Sequence, residues 1–385
     1  MNVLCAPQAF KGTLPALAAA QAMADGVRQA LPQATVVVAP MADGGDDTLD
    51  VLVTATKGRL FTAQVQDALG RAITARWGVL GDGQTAIVEM AQASGIRLLK
   101  QHELDPLGTT TFGTGQLIHA AINESYRKIL VGIGGSATVD AGTGAVSALG
   151  MRFLDSSGQP LPPSGAALAR LHRIDLSGLD PRIRQTEISV ACDVDIPLCG
   201  PRGAWTFAPQ KGATPQVAKA LAAAMEHFGA VVASQLGVEL RSMPLAGPAG
   251  GLAGGLHAFC GAKLLRGSNL VLEITGLKRL IAEADLVITG EGMFDRTTLS
   301  GKGPGEVAAW AKRHSVPVII VAGQIGTDLP GLATLGIVGA ESLLAHTASL
   351  EKAKADAAAV ITKATLAALT KRYHSGSPGS RPSQV

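Results

Sequence analysis

Short apolar runs that stop abruptly in glycine and aspartate recur along the chain, and they constrain its fold more than any other feature. The clearest is Ile129-Leu130-Val131-Gly132-Ile133, which passes into Gly134-Gly135-Ser136-Ala137-Thr138 and then Asp140. β-Branched residues suit a buried strand. The glycines after it let backbone amides approach a charged oxygen, as anion sites near a helix start require. A tight strand-to-helix turn without a ligand would use the same glycines, so repetition carries the argument. The 47 glycines cluster at the ends of apolar runs, where α/β enzymes place their ligand loops.

Residues 3–6 and 35–39 read as strands. Between them a helix from near Thr13 puts Ala16, Ala20, Met23, Val27 and Leu31 on one face. A helix over 49–56 follows. The segments 61–65, 72–77 and 85–89 alternate between turns such as Gly81-Asp82-Gly83, predicting an antiparallel meander. A helix over 113–123 leads to a strand over 128–133, with another helix across 142–149. Residues 155–166 form a loop, 187–192 a strand and 215–235 an alanine-rich helix. The glycine-dense stretch 247–255 opens a helix that runs through 265. Strands over 286–289, 317–321 and 336–338, with a helix over 304–312, restore the βα alternation of a parallel sheet. The expected architecture is α/β: a discontinuous Rossmann-like parallel-sheet domain (1–60 and 280–372) with an inserted mixed α/β domain (61–279), and the active site in the cleft between them. The polar residues 373–385 are expected to be a disordered tail.

Composition narrows the functional classes. A chain of 385 residues accommodates two domains. No apolar run reads as long and pure enough to span a bilayer, and the first residues lack the basic segment of a signal peptide, so they read as a strand. The net charge of +3 is small for this length, and 3% aromatic residues leave few stacking platforms, which disfavours nucleic acid as a partner. Cys5, Cys192, Cys199 and Cys260 form neither a CxxC pair nor a zinc spacing, and the eight histidines are dispersed. A reducing cytoplasm is the expected location.

The chemistry-bearing residues sit where apolar runs end. No GxxxxGK[ST] loop and no protein-kinase signature occurs. Gly290-Glu291-Gly292 follows a strand but reaches Asp295 where a dinucleotide fingerprint needs its third glycine. Lys11, after the first strand, is either a compact charge for a carboxylate or phosphate or a solvated loop lysine. Asp43, Asp46 and Asp47 crowd Gly44 and Gly45; such carboxylates repel unless a cation or donors compensate, and helix capping by Asp46 or Asp47 is the alternative. Asp193 and Asp195 end an apolar strand, placed to take a hydroxyl proton or hold a metal, or to cap a turn. Their position ahead of Phe207-Ala208-Pro209-Gln210-Lys211 favours function. Gly250 and Gly251 mark either a ligand contact or close helix packing. Glu291, Asp295 and Lys302 share one glycine-flanked loop that suits a metal-bound phosphate.

At these residues the chain resembles the bacterial type 1 glycerate kinase family. The resemblance runs through Phe10-Lys11-Gly12, Ala42-Asp43-Gly44-Gly45, Thr109-Thr110-Thr111, Gly132 to Thr138, Ala191-Cys192-Asp193-Val194, Pro209-Gln210-Lys211-Gly212, Gly250-Gly251, Thr289-Gly290-Glu291-Gly292 and Gly301-Lys302. It implies ATP-dependent phosphorylation of D-glycerate, with Mg²⁺, generally at the 2-hydroxyl to give 2-phosphoglycerate. On that reading Asp193 and Lys11 are catalytic. Asp43, Gly134, Gly135, Ser136, Thr138, Gly250 and Gly251 bind substrate or phosphate. Gly290, Glu291, Gly292 and Lys302 bind the nucleotide, and Glu291 and Asp295 hold the metal. Partners are then a small hydroxy acid and ATP, with no nucleic acid or membrane, in a monomer or homodimer. The chain departs from the family pattern at Gln8 (commonly Asp), Val139 and Ala141 (commonly Asn and Gly), Met293 (often Arg) and Thr297 (often Gln), and Arg296 could replace the missing positive charge. Those departures keep open a kinase of another small hydroxy acid, or phosphorylation at the 3-hydroxyl. A non-catalytic nucleotide-binding regulator and an NAD-dependent oxidoreductase are the rivals from other classes.

Overall fold

The computed structural model describes residues 1–329 and 331–373. Apart from Tyr373, which closes the last helix, the expected tail lies outside the described residues. Two compact units emerge, one from Met1–Met41 with Thr275–Val385 and one from Ala42–Ile274.

The first unit holds a five-stranded, all-parallel sheet. Its spatial order is Ile337–Ser342, Val318–Ala322, Leu286–Thr289, Asn2–Cys5, Thr35–Val38. The chain winds outwards from Asn2–Cys5 in one direction and from Leu286–Thr289 in the other. Those two neighbours therefore flank the topological switch point, the crevice where open parallel sheets bind ligands. Strands covered on both faces need continuous apolar runs, and Val318–Ala322 is buried at every residue. Helices Ala16–Ala30 and Ala357–Tyr373 pack together over the sheet, burying Met23, Val27, Ile361 and Leu369 with Ile288 and Ile319. The last helix was not legible in the sequence, because its alanines and threonines give no clear apolar stripe.

The second unit carries a six-stranded mixed sheet. Lys263–Leu265, Glu187–Ala191, Lys128–Gly132 and Thr85–Glu89 are parallel, and Ala72–Val79 and Arg59–Gln66 complete the expected antiparallel meander. Phe61 stacks on Trp77 across that hairpin, ring centroids 4.6 Å apart.

Three sequence expectations need correction. The first break between units falls at Met41, not near residue 60, because helix Thr48–Thr56 packs on Ala72–Val79 and Thr85–Glu89 of the second sheet. The second falls at Ile274 and Thr275, close to the expected 280. The helix from Leu252 stops at Cys260, since Gly261 turns left-handed (φ 66°) and releases Lys263–Leu265 as an edge strand. Finally, Pro215–Leu236 is long and apolar enough, by length and composition, to cross a membrane. Its alanines raise the hydropathy, yet Leu221, Met225, Phe228 and Val232 form a helical stripe buried in the core of this unit.

Candidate active site

In the first unit the loops at the switch point hold the predicted nucleotide residues. The segment after Asn2–Cys5 runs past buried Gln8 to exposed Lys11. The Gln8 amide donates to the Gly290 carbonyl at 2.9 Å, and a Cβ on Gly292 would stand 3.7 Å from the Lys11 nitrogen. The lysine loop and the Gly290-Glu291-Gly292 loop therefore run side by side. Glu291 Oε1 accepts from the Thr298 hydroxyl at 2.6 Å. Asp295 Oδ1 accepts from the Thr297 amide (2.7 Å) and hydroxyl (2.6 Å), which holds its carboxyl below the usual carboxylate range. Lys302 Nζ donates to the Thr297 hydroxyl at 2.8 Å, and Lys302 occupies the N-cap position of helix Gly303–Arg313 without a side-chain cap bond. Two acids and a lysine are thus locked together through two threonines at a helix N-terminus, where partial positive charge favours phosphate. Met293 and Thr297, both departures from the family pattern, are exposed in this loop; Arg296 is exposed too. Gln8 Oε1 is buried with no hydrogen-bond partner among the described residues.

In the second unit two loops leave neighbouring strands at the same end of the sheet. Gly132 pairs with Ala191, so the segments carrying Ser136 and Asp193 emerge side by side, and the Asp43 loop lies against both. Gly134 donates to the Gly44 carbonyl at 3.0 Å. Gly44 itself is left-handed (φ +86°), and a Cβ there would lie 2.3 Å from the Ala191 carbonyl oxygen. Only glycine fits that contact.

Asp193 accepts from the Ser268 amide at 2.9 Å and from its hydroxyl. Burial, reinforced by the charge of Asp43 and opposed by the Ser268 bonds, pushes its carboxyl up to about 7. Asp195 is exposed and pairs with Arg266 at 2.7 Å. Asp43 Oδ1 accepts from the Gly45 amide at 3.0 Å.

The glycine loop differs in detail from the sequence expectation. It does not open a helix directly: the next helix is Thr143–Ala148, after Gly142. The amides of Gly134 and Ala137 go to Gly44 and Ser94, whereas those of Gly135 and Ser136 donate to no described residue. Thr138 is fully buried, and its hydroxyl has no hydrogen-bond partner among the described residues. Gly250 packs behind it, where a Cβ would lie 2.1 Å from the Thr138 carbonyl oxygen, and Gly251 faces Ala141. Both glycines thus support the loop from behind. Asp140, also buried, takes the Thr111 amide and hydroxyl at 2.8 Å each and the Gly142 amide at 3.0 Å.

Three further residues complete this constellation. Lys211, 4% exposed, donates to Ser136 Oγ at 2.6 Å and to the Thr138 carbonyl at 2.7 Å. Burial lowers its pKa to about 7, against the favourable charge of Asp140. Glu89, 0% exposed, accepts the Leu49 amide at 3.0 Å, and Arg97 lies 3.8 Å from its other oxygen and 3.5 Å from Asp46. Burial pushes Glu89 up to about 7. The capping expected of Asp47 is therefore supplied from elsewhere: Asp47 holds the N-cap position without a side-chain cap bond, and Glu89 takes a first-turn amide. Ser268 is the third. Lys211 stood in a motif already noted, whereas Glu89 and Ser268 carry no local signal.

A lysine, two acids and a helix N-terminus at the switch point of one sheet, with a half-buried carboxyl beside a glycine loop in the other unit, are parts that an α/β phosphotransferase requires. The chain belongs to the glycerate kinase family, which it matches over residues 3–371. It is 44% identical to the glycerate kinase of Halalkalibacterium halodurans over 91% of this chain and 93% of that one. With the glycerate 2-kinase of Escherichia coli strain K12 it shares 41% identity over 92% of this chain and 93% of that one. The crystal structure of a Salmonella typhimurium LT2 protein described as a glycerate kinase 2 matches with a TM-score of 0.80 and 38% identity, covering 97% of this chain and 98% of that one. The chain is accordingly a kinase with ATP as co-substrate.

Proposed function

We propose that this enzyme transfers the γ-phosphoryl group of ATP to the 2-hydroxyl of D-glycerate, giving 2-phosphoglycerate and ADP. The observation that carries this reading is the likeness to a glycerate 2-kinase, 41% identical over 92% of this chain, joined by Asp193, a half-buried carboxyl held by Ser268 beside a loop whose Gly135 and Ser136 amides donate to no described residue. A base works best when its pKa lies near the operating pH. Asp193 takes the proton of the 2-hydroxyl as that oxygen attacks the γ-phosphorus and the bond to the ADP oxygen breaks. The Gly135 and Ser136 amides and the Ser136 hydroxyl receive the substrate carboxylate. Asp43 reinforces the burial that raises the Asp193 pKa and faces the substrate hydroxyls. Lys11 neutralises the moving phosphoryl group, and Lys302 meets the nucleotide phosphates. Such reactions rest on alignment and charge neutralisation more than on covalent chemistry.

Mg²⁺ fits the donors of the nucleotide loop. It needs only one or two carboxylates, taking its other places from water and phosphate, and Glu291 and Asp295 are oxygen donors four residues apart. Among the described residues no three His, Cys, Asp or Glu side chains come together as a protein cage, so the ion would arrive with its nucleotide. When bound, it would neutralise phosphate charge.

The test is ADP release measured with ATP and a panel of small 2- and 3-hydroxy acids. D-Glycerate should give the highest kcat/KM, and a better acid in the panel would overturn the substrate assignment.

A further inference from the structure

Lys211 is a buried cation that the reaction as described above does not use. It reaches up from the turn Pro209–Lys211, and two of its hydrogens go to Ser136 Oγ and the Thr138 carbonyl. An ammonium has three donors and no acceptor, so Ser136 Oγ can only accept from it. The serine's own hydrogen must then point elsewhere. Ser136 and Gly135 are half-buried and Lys211 is not exposed, so the hydroxyl, not the ammonium, meets an incoming molecule. The Ser136 and Asp193 segments leave adjacent strands at the paired residues Gly132 and Ala191. In a 2-hydroxy acid the carboxylate is one bond from the carbon bearing the reacting oxygen. A donor beside the base therefore suits the carboxylate, while the lysines assigned to phosphate lie in the other unit.

We propose that Lys211 is a positioning residue, whose ammonium turns the Ser136 hydroxyl into a fixed donor for the carboxylate of the acid substrate. This deepens the functional reading above and rests on it. Asp140, the charged side chain acting on Lys211, favours the ammonium, and burial opposes it. Above about 7 the lysine loses its proton, can accept from Ser136, and the serine's hydrogen is drawn inwards.

The test uses initial rates of the full chain with D-glycerate and ATP. Lys211→Met and Ser136→Ala should each raise the KM for glycerate about tenfold or more, with the KM for ATP held within about twofold. The double variant should be no worse than Lys211→Met, because both changes remove one donor. Independent, multiplying effects, or a shift in the KM for ATP instead, would overturn the proposal. A second measurement does not depend on Lys211→Met folding. The wild-type KM for glycerate should rise as pH increases through about 7, and that rise should be smaller in Ser136→Ala, which keeps both the lysine and Asp193, whose own ionisation falls in the same range. A flat profile, or a rise unchanged by Ser136→Ala, would refute the role. A wild-type chain that releases no ADP with glycerate refutes the functional reading and this inference together. Turnover with an unmoved glycerate KM in folded Lys211→Met refutes the inference alone.

Discussion

Asp193 and Glu89 are both pushed up to about 7 by burial, but they do different work. Asp193 lies half-buried just past a strand end, and in the proposed reaction it takes the substrate's proton, so its ionisation should appear in the rate. We expect kcat to rise with pH through about 7 and Asp193→Asn to lower it by roughly 10²–10⁴ with the fold retained; near-normal turnover in that variant, measured by ADP release, would remove Asp193 from the mechanism. Glu89 is sealed inside the second unit, so its ionisation should appear in stability. Its folded pKa lies above the unfolded value, so the folded state holds the proton more tightly. The contribution of Glu89 to stability therefore falls as pH climbs from about 4.5 to about 7 and levels off above, a change on the order of 3 kcal/mol that adds to the fall Asp193 makes by the same linkage. Glu89→Gln keeps an acceptor for the Leu49 amide and should flatten that slope in urea titrations at several pH values. An unchanged slope would assign the proton to another group. Lys302→Ala, in the nucleotide loop, should raise the KM for ATP about tenfold and leave that for glycerate unmoved, as steady-state kinetics would show.

Among the elements, punctuation was more legible than partnership. The strands Leu286–Thr289 and Lys128–Gly132 announce themselves as β-branched runs closed by glycine, and their parallel pairing follows from the βα alternation. Asp193 could be singled out because it ends such a run. Glu89 also ends its strand, but its partner Leu49 lies 40 residues away, so only tertiary contact gives it meaning. Ser268 becomes relevant only once Gly267–Ile274 packs on Glu187–Ala191. Lys211 is hidden in a similar way, since its neighbours Ser136 and Thr138 precede it by more than 70 residues. Thr138 and Gly250 look like ligand residues in sequence, yet both are buried, one packed behind the other. Another close approach is open to test. Gly44→Ala would force a Cβ to within 2.3 Å of the Ala191 carbonyl at a left-handed backbone. It should cost about 1–3 kcal/mol of stability from strain alone and reduce turnover, by denaturant melts and rate assays. A variant as stable and active as the wild type would show that the Asp43 and Asp193 loops do not depend on that approach.

Across the molecule, the candidate residues are divided between the two units. Lys11, Glu291 and Lys302 belong to the unit built from the two ends of the chain, and Asp43, Ser136 and Asp193 to the unit made from its middle. The chain assembles the first of these units from segments that more than 230 residues separate, because its parallel sheet needs strands from both ends. Membership of the glycerate kinase family fixes the class of reaction; which oxygen of glycerate receives the phosphoryl group is the claim that the site residues have to answer for. Phosphorus NMR of the product formed from D-glycerate and ATP addresses it directly. The account predicts a phosphate ester coupled to the single C2 proton, appearing together with ADP. An ester coupled to the two C3 protons, or ADP released without any ester, would contradict it.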